Sequence, residues 1–278
     1  MTDPTLLARL ENYYDTVPRA TADGEAVGPF TLFVAREGWP YYARPTLGSD
    51  AEFTVDDVRE VLDRQQQLGV PQHLEWVDEI APTLLPATQE AGVPVAKCAL
   101  MVLSSEPVQP RLDGVSLRLL RPDDDAFGSA RAAVDAGFGE RDTLTSEPVV
   151  EAIAAQVQLG RMRVAGAFDP EGRAIGGGSH APRGDVTEVT GIGVIPAWRR
   201  RGIGAALAGL LARDARELGV ATVFLSAASE SVARVYERVG FVRVGTACIA
   251  EYDKWPRARH EWLMSAPRVA DERATSDR

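Results

Sequence analysis

Six consecutive residues, Arg199-Arg200-Arg201-Gly202-Ile203-Gly204, carry the combination most suggestive of ligand chemistry in this chain. The guanidinium groups supply positive charge. The glycines let the backbone come close to a bound group, and a helix that starts among them offers free N–H groups and the positive end of its dipole. The chemistry implied is the holding of a phosphate-bearing ligand. Two common forms of it fit poorly. A P-loop needs Gly-Lys-Ser/Thr, which is missing, and a dinucleotide fingerprint needs a third glycine three residues after Gly204, where Leu207 stands.

The elements that must position this turn can be read on either side of it. Val189 to Ile195 is an apolar, β-branched run stopped by Pro196, which predicts a strand. Ile203, Leu207, Leu210, Leu211 and Leu218 then form a helical stripe ending at Gly219. Further on, Thr222 to Leu225 reads as a strand, and Ser231 to Val239 as a helix whose Val232, Val235, Tyr236 and Val239 share one face, closed by Gly240-Phe241. Strands are expected through Ile249 and around Trp262 to Met264. Upstream, the pattern predicts a strand over Val115 to Leu120 and helices over Pro122 to Phe138 and Glu147 to Leu159. A hairpin of Arg161 to Phe168 and Ala174 to His180 turns through Asp169-Pro170-Glu171-Gly172.

The first hundred residues carry their own alternation of elements. A short helical pattern (Leu6, Leu7, Leu10, Tyr13, Tyr14) leads into a polar loop reaching Gly28, then strands over Phe30 to Arg36 and Trp39 to Arg44. Thr54 followed by Asp56 and Asp57 signals a capped helix ending at Gly69. A strand at His73 to Val77, a helix at Thr83 to Glu90 and a strand at Val95 to Leu103 follow. Glu106 to Gly114, with Pro107 and Pro110, reads as a linker. The expected organisation is therefore residues 1–106, a linker at 107–114, a second unit at 115–265 and a polar, disordered tail at 266–278.

The two units echo one another. Leu68-Gly69-Val70 matches Leu218-Gly219-Val220, Gly92-Val93 matches Gly240-Phe241, and Cys98 matches Cys248, at offsets of about 150 residues. The chain reads as two copies of one mixed α/β unit, the first truncated at its beginning. Composition agrees with two ordinary cores, since 278 residues with 45% hydrophobic and 25% charged side chains is globular. The net charge of −10 lies wholly in residues 1–110, with 7 Lys/Arg against 17 Asp/Glu; the remainder balances at 23 and 23. An acidic first half argues against nucleic acid and anionic membranes and favours cationic partners. Two isolated cysteines in apolar stretches argue against a disulfide framework or a cysteine metal site. With no apolar run of membrane-spanning length and no signal-peptide pattern at Met-Thr-Asp-Pro, a cytoplasmic protein is expected.

Taken together, Arg199-x-x-Gly202-x-Gly204, the strand before it, Pro196, Gly219 and the later Ala233-x-x-Tyr236-x-x-x-Gly240-Phe241 resemble the GNAT superfamily of acyl-CoA-dependent N-acetyltransferases over about Val115 to Met264. The resemblance implies a mixed, largely antiparallel central sheet flanked by helices, here as two GNAT-like units in tandem. It implies acetyl-CoA as cosubstrate, with its pyrophosphate held at Arg199, Arg200, Arg201, Gly202, Ile203, Gly204 and Ala205. It also implies a strand that splays from its neighbour to free backbone groups at Ile192, Gly193 and Val194 for the pantetheine arm. Glu188, eleven residues before Arg199, falls where many relatives carry the base that acts on the amine; alternation puts Thr190 and Ile192 on its face. Tyr236 falls where relatives place the acid for the leaving thiolate. Ser231 stands where many have an asparagine, and would cap its helix or bond the cofactor. His180 and Trp198 border this region and read as structural.

At the corresponding stretch the first unit has Leu47-Gly48-Ser49-Asp50-Ala51, with Glu52 and Thr54 in place of the glycines and Thr88 in place of Tyr236. It is therefore expected to bind no CoA, and to buttress the second unit or shape its acceptor pocket. The activity expected is direct acetyl transfer to a primary amine without a metal, on a small molecule ahead of a protein. A homodimer is an expected assembly, and a non-catalytic acyl-CoA sensor is the alternative.

Overall fold

The computed structural model describes residues 3–36, 42–144 and 150–252. The strand expected around Trp262 to Met264 and the tail at 266–278 lie outside the described residues, as does the start of the helix expected from Glu147. Among the described residues, eleven strands form one sheet. In chain order they are β1 (Ala22–Val27), β2 (Phe30–Ala35), β3 (Ala43–Pro45), β4 (His73–Val77), β5 (Val95–Leu103), β6 (Ser116–Leu120), β7 (Arg163–Phe168), β8 (Ala174–His180), β9 (Val186–Val194), β10 (Thr222–Ala227) and β11 (Phe241–Glu251). Their spatial order is β1-β2-β3-β4-β11-β5-β10-β9-β8-β7-β6. Seven helices accompany them among the described residues: α1 (Pro4–Thr16), α2 (Val55–Leu68), α3 (Leu84–Glu90), α4 (Phe127–Phe138), α5 (Val150–Gln158), α6 (Ile203–Glu217) and α7 (Glu230–Glu237).

The order is symmetric about the β11–β5 pair. On each side of it come an antiparallel neighbour, a parallel pair (β3 with β4, β9 with β10) and then antiparallel strands. Helices α2 and α6 connect the parallel pairs, and α3 and α7 lead into the central strands. This is the repeat read from the sequence. β6 lacks a counterpart among the described residues of the first unit, in keeping with a first copy truncated at its beginning.

What the sequence does not reveal is that the copies interdigitate. β5, the last strand of the first unit, lies between β11 and β10, and β11, the last described strand of the second, lies between β4 and β5. The β5–β11 ladder runs from Leu103↔Phe241 to Val95↔Ala250. Each unit's final strand is thus separated from its own sheet by the other's, and separating the units would expose both edges of both strands. The repeat axis passes beside the two cysteines: Cys98 pairs with Ala247 and Cys248 with Lys97. Cys98 packs with α1, whereas Cys248 joins the core of the first unit on the opposite face; both are buried free thiols.

Three cores hold the layers together. One lies under α4, α6 and α7 in the second unit, and one under α2 and α3 in the first. The third is the contact of α1 with the centre of the sheet, where Leu10, Tyr13 and Tyr14 meet Leu100, Phe224 and Ala247. Tyr13 and Tyr14 both stand edge-on to the Phe224 ring, at 5.1 and 5.3 Å between centroids. Such pairs add about 1 kcal/mol each to the area they bury. A helix from the first unit is thereby anchored on strands of the second.

Some expected boundaries move. Residues 22–27, read as loop, form the edge strand β1; it is paired only to β2 and so needs little apolar alternation. The helix expected from Pro122 begins at Phe127, because Asp124 turns back to accept from the Ala126 N–H. Of the strand expected at Trp39 to Arg44, residues 37–41 lie outside the described residues and the remainder is β3. Among the described residues no helix is long and apolar enough to cross a membrane.

Candidate active site

The fork of the sheet sets the site. The β9–β10 ladder contains only Val186↔Thr222, Thr187↔Val223 and Glu188↔Phe224, although both strands run on. Glu188 therefore stands at the last paired position, where the strands part. Its side chain faces α1, as Val186 does, while Thr187 and Val189 face α6. Beyond it the alternation breaks. Gly191 adopts φ +62°, and β8 pairs across it with a shift in register between Gly177 and Ser179. The bulge turns Ile192 to the α6 side, near Leu211 and Gly204, so Ile192 does not share the face of Glu188 and Thr190 that plain alternation predicts.

The glycine-arginine turn closes the open end of the fork. Arg200 and Gly202 take left-handed backbone conformations (φ +62° and +84°), and α6 starts at Ile203 with no side chain capping it. The N–H groups of Ile203, Gly204 and Ala205 are the first donors of that helix, with no carbonyl four residues earlier in helical position to take them. A methyl placed on Gly204 would meet nothing nearer than Ile192 at 3.8 Å. Packing within the protein does not demand glycine there, and the space above the helix start is open. Gly193 differs: a methyl there would lie 2.6 Å from the Val134 carbonyl of α4.

The three arginines divide their work. Arg199 donates from Nε to the Val194 carbonyl (3.0 Å), from Nη2 to the Gly137 carbonyl (2.6 Å) and from Nη1 to both oxygens of Glu140. It braces the turn against the end of α4 and uses the Val194 carbonyl that was expected to be free. Arg201 stacks on Trp198, 4.5 Å from its centroid. Arg200 is exposed, with no hydrogen bond or ion pair among the described residues, and is the guanidinium available to an anion.

Glu188 is set deep in the protein yet keeps some accessible surface. Burial, and then repulsion from Glu75, push its carboxyl up to about 8; a hydrogen bond from Tyr14 and the charge of Arg44 act the other way. Tyr236 is buried on α7 against Phe241, and burial raises its phenol to about 12. The helix-capping role goes to Ser229, whose hydroxyl accepts from the Val232 N–H; Ser231 is exposed in the first turn and bonds to Ser229. His180 is wholly buried between Thr187 and Asp214, and Asp214 also holds Arg163 in two hydrogen bonds. Burial opposes the charge of Asp214, but His180 and Arg163 overcome it and hold its carboxyl at about 2, so this network ties β7, β8 and β9 to α6.

The residues that sequence reasoning missed come from the first unit. Tyr14, Arg44 and Glu75 gather around Glu188, with Glu11 behind Arg44, although they are distant in sequence and carry no motif. The matching ladder pair of the first unit is Ala43↔Leu74, so Ala43 stands where Glu188 does. There, too, the helix start is closed. Thr54 and Asp57 of α2 form a reciprocal capping box, and Asp56 and Asp57 fill the first turn. The two helix starts align Thr54 with Gly202 and Asp56 with Gly204, two residues off the spacing of 150.

The fold and the fork resemble those of the GNAT acetyltransferases. The acetyltransferase (GNAT) family matches the chain over residues 145–241. Among solved structures, the chain is similar to a GCN5-related N-acetyltransferase from Kribbella flavida (18% identity, 89% of this chain and 96% of that one, TM-score 0.65). It is also similar to one from Sphaerobacter thermophilus (20% identity, 70% and 64%, 0.53) and to a GCN5-related N-acetyltransferase-like protein from Streptococcus suis (11% identity, 90% and 100%, 0.53). No curated protein matches it. Residues 145–241 thus match the GNAT acetyltransferase family, and the likeness to these structures, which extends over most of the chain, is one of fold.

Proposed function

We propose that this protein transfers the acetyl group of acetyl-CoA directly to a primary amine, with Glu188 as the base and Tyr236 serving the departing sulfur. The observation that carries this reading is the position of Glu188: a deep carboxylate at the last paired step of β9 and β10, at the mouth of a fork that leads to the uncapped start of α6. The N–H groups of Ile203 to Ala205, with Arg200, would hold the pyrophosphate, and the thioester supplies an activated acetyl carbon.

An alkyl ammonium has a pKa of about 10.4, and its proton must leave before nitrogen can attack. An ordinary carboxylate would face a gap of about six pH units; Glu188, at about 8, narrows it to about two. Glu188 takes one proton from the ammonium, the freed amine forms the N–C bond, the C–S bond breaks, and the second proton lost from nitrogen passes to the departing thiolate to give the CoA thiol. Tyr236 keeps its proton throughout the working range, and complete transfer to a thiolate of pKa about 8.5 would run uphill. Its role is to donate a hydrogen bond to the sulfur as charge develops. Cys98 and Cys248, buried in the central strands, offer no nucleophile at the fork, which favours direct attack.

The acceptor is a small cationic amine on this reading, because the carboxyls of Glu188 and Glu75 lie together at the site while Arg44 beside them is paired with Glu11. The closed, acidic helix start of the first unit supports a single acetyl-CoA per chain. Thiol release from acetyl-CoA across a panel of diamines, amino acids and amino sugars tests the activity. Wild-type protein should release CoA with at least one amine, and Glu188→Gln should lose about 100-fold or more in kcat. Undiminished turnover by Glu188→Gln would refute the base.

A further inference from the structure

We propose that Tyr14 is the positioning residue for Glu188, so that the first unit, itself without a base or an open helix start, completes the active site of the second. This rests on Glu188 acting as the base.

The hydroxyl of Tyr14 donates to Glu188 Oε1 at 3.1 Å. Tyr14 is itself held on two sides. Its ring stands edge-on to Phe224, the β10 residue paired with Glu188, and the Arg44 guanidinium lies over it at 4.4 Å. Arg44 in turn is fixed by Glu11 at 2.7 Å, with both side chains buried. Glu11 and Tyr14 are three residues apart on α1 and so share a face. Glu11, Tyr14 and Arg44 thus form one rigid assembly, supplied by α1 and β3, whose phenol ends on the carboxylate at the fork.

Packing alone does not account for the hydroxyl. The neighbouring Tyr13 fills the same aromatic cluster and satisfies its own hydroxyl on the Ala181 carbonyl at 2.7 Å. Tyr14 instead spends its one donor on an ionisable group, and a hydrogen bond to the ionised form of a carboxylate favours that form. The other charged and titratable groups around Glu188 are Glu11 and Tyr13 of α1, Arg44 of β3 with Tyr42 beside it, Glu75 of β4 with His73, and Arg183 before β9. Glu75 opposes ionisation and Arg44 favours it, so Tyr14 is the direct hydrogen-bond donor by which the first unit keeps a share of Glu188 ionised. It also fixes one carboxylate oxygen and leaves the other for the amine.

The test requires no knowledge of the acceptor. Full-length protein is labelled with 13C at the glutamate carboxyl carbons, and the resonance missing from Glu188→Gln identifies Glu188. Its titration midpoint in Tyr14→Phe should rise by about one pH unit, a roughly tenfold smaller ionised fraction near neutrality. With any amine the wild type accepts, kcat of Tyr14→Phe should fall by a similar factor near pH 7 and recover toward wild type at about pH 9.5. An unchanged or lowered midpoint overturns the proposal. Should Tyr14→Phe fail to fold, wild-type protein grown with 3-fluorotyrosine, a more acidic phenol of nearly the same shape, must show a lowered midpoint; no shift overturns the proposal equally. Undiminished transfer by Glu188→Gln overturns the base assignment and this proposal with it, whereas an unchanged midpoint in Tyr14→Phe overturns this proposal alone.

Discussion

Replacing Glu188 by glutamine should lower kcat about 100-fold or more and stabilise the protein, and the second effect should depend on pH in a specified direction. The folded protein holds the Glu188 proton up to about pH 8, against 4.5 as the ordinary value of the group. Between those values the folded state binds a proton that the unfolded chain has released, so stability is complete below about 4.5, drains away as pH rises, and levels off above about 8. The shift corresponds to an upper limit of about 5 kcal/mol at 1.36 kcal/mol per unit. Glu188 keeps some surface and its neighbours can relax, so about 2 kcal/mol is the expected loss. Glutamine does not titrate, matches the shape, and its amide oxygen can still accept from Tyr14. Thermal melts of both proteins should therefore coincide near pH 5, with Glu188→Gln higher by about 4 °C near pH 9. An equal difference at both pH values, or a less stable variant near pH 9, would refute a carboxylate held against its own ionisation.

The two glycines at the fork should respond in opposite ways. Gly204→Ala meets open space in the first turn of α6 and should leave the melting temperature unchanged or slightly raised while weakening acetyl-CoA binding about tenfold or more by calorimetry; Gly193→Ala drives a methyl into the Val134 carbonyl and should cost several kcal/mol of stability. A fragment of residues 107–278 should fail to form a soluble folded monomer, as judged by circular dichroism and gel filtration, because β10 and β11 both lose β5.

The elements nearest the chemistry were legible because local rules decide them. The apolar β9, the glycine cap at Gly202 and the stripe of α6 need no distant partner to be recognised. The repeat was legible too, since Gly69 and Gly219 end their helices in the same left-handed conformation. What stayed hidden depends on tertiary pairing. Nothing in β5 or β11 states that each will sit inside the other's sheet, as their alternation is satisfied by any antiparallel neighbour. The Gly191 bulge reverses the face of Ile192, and a glycine in a strand does not by itself announce which residue it displaces. Arg199 reads as a phosphate ligand by charge and spacing, while Glu140 and the carbonyls of Gly137 and Val194 claim it through the packing of α4. Tyr14 and Arg44 had no motif to mark them; a helix of tyrosines and leucines looks like a core helix, and α1 is one apart from the hydroxyl that reaches Glu188.

The central claim is a two-unit chain with one acetyl-CoA site, at the start of α6. Native mass spectrometry of the full-length protein with saturating acetyl-CoA tests it most directly, run beside Gly204→Val. One acetyl-CoA per wild-type chain and none on the variant is the expected result; two per chain, or one retained by Gly204→Val, would overturn the single-site reading.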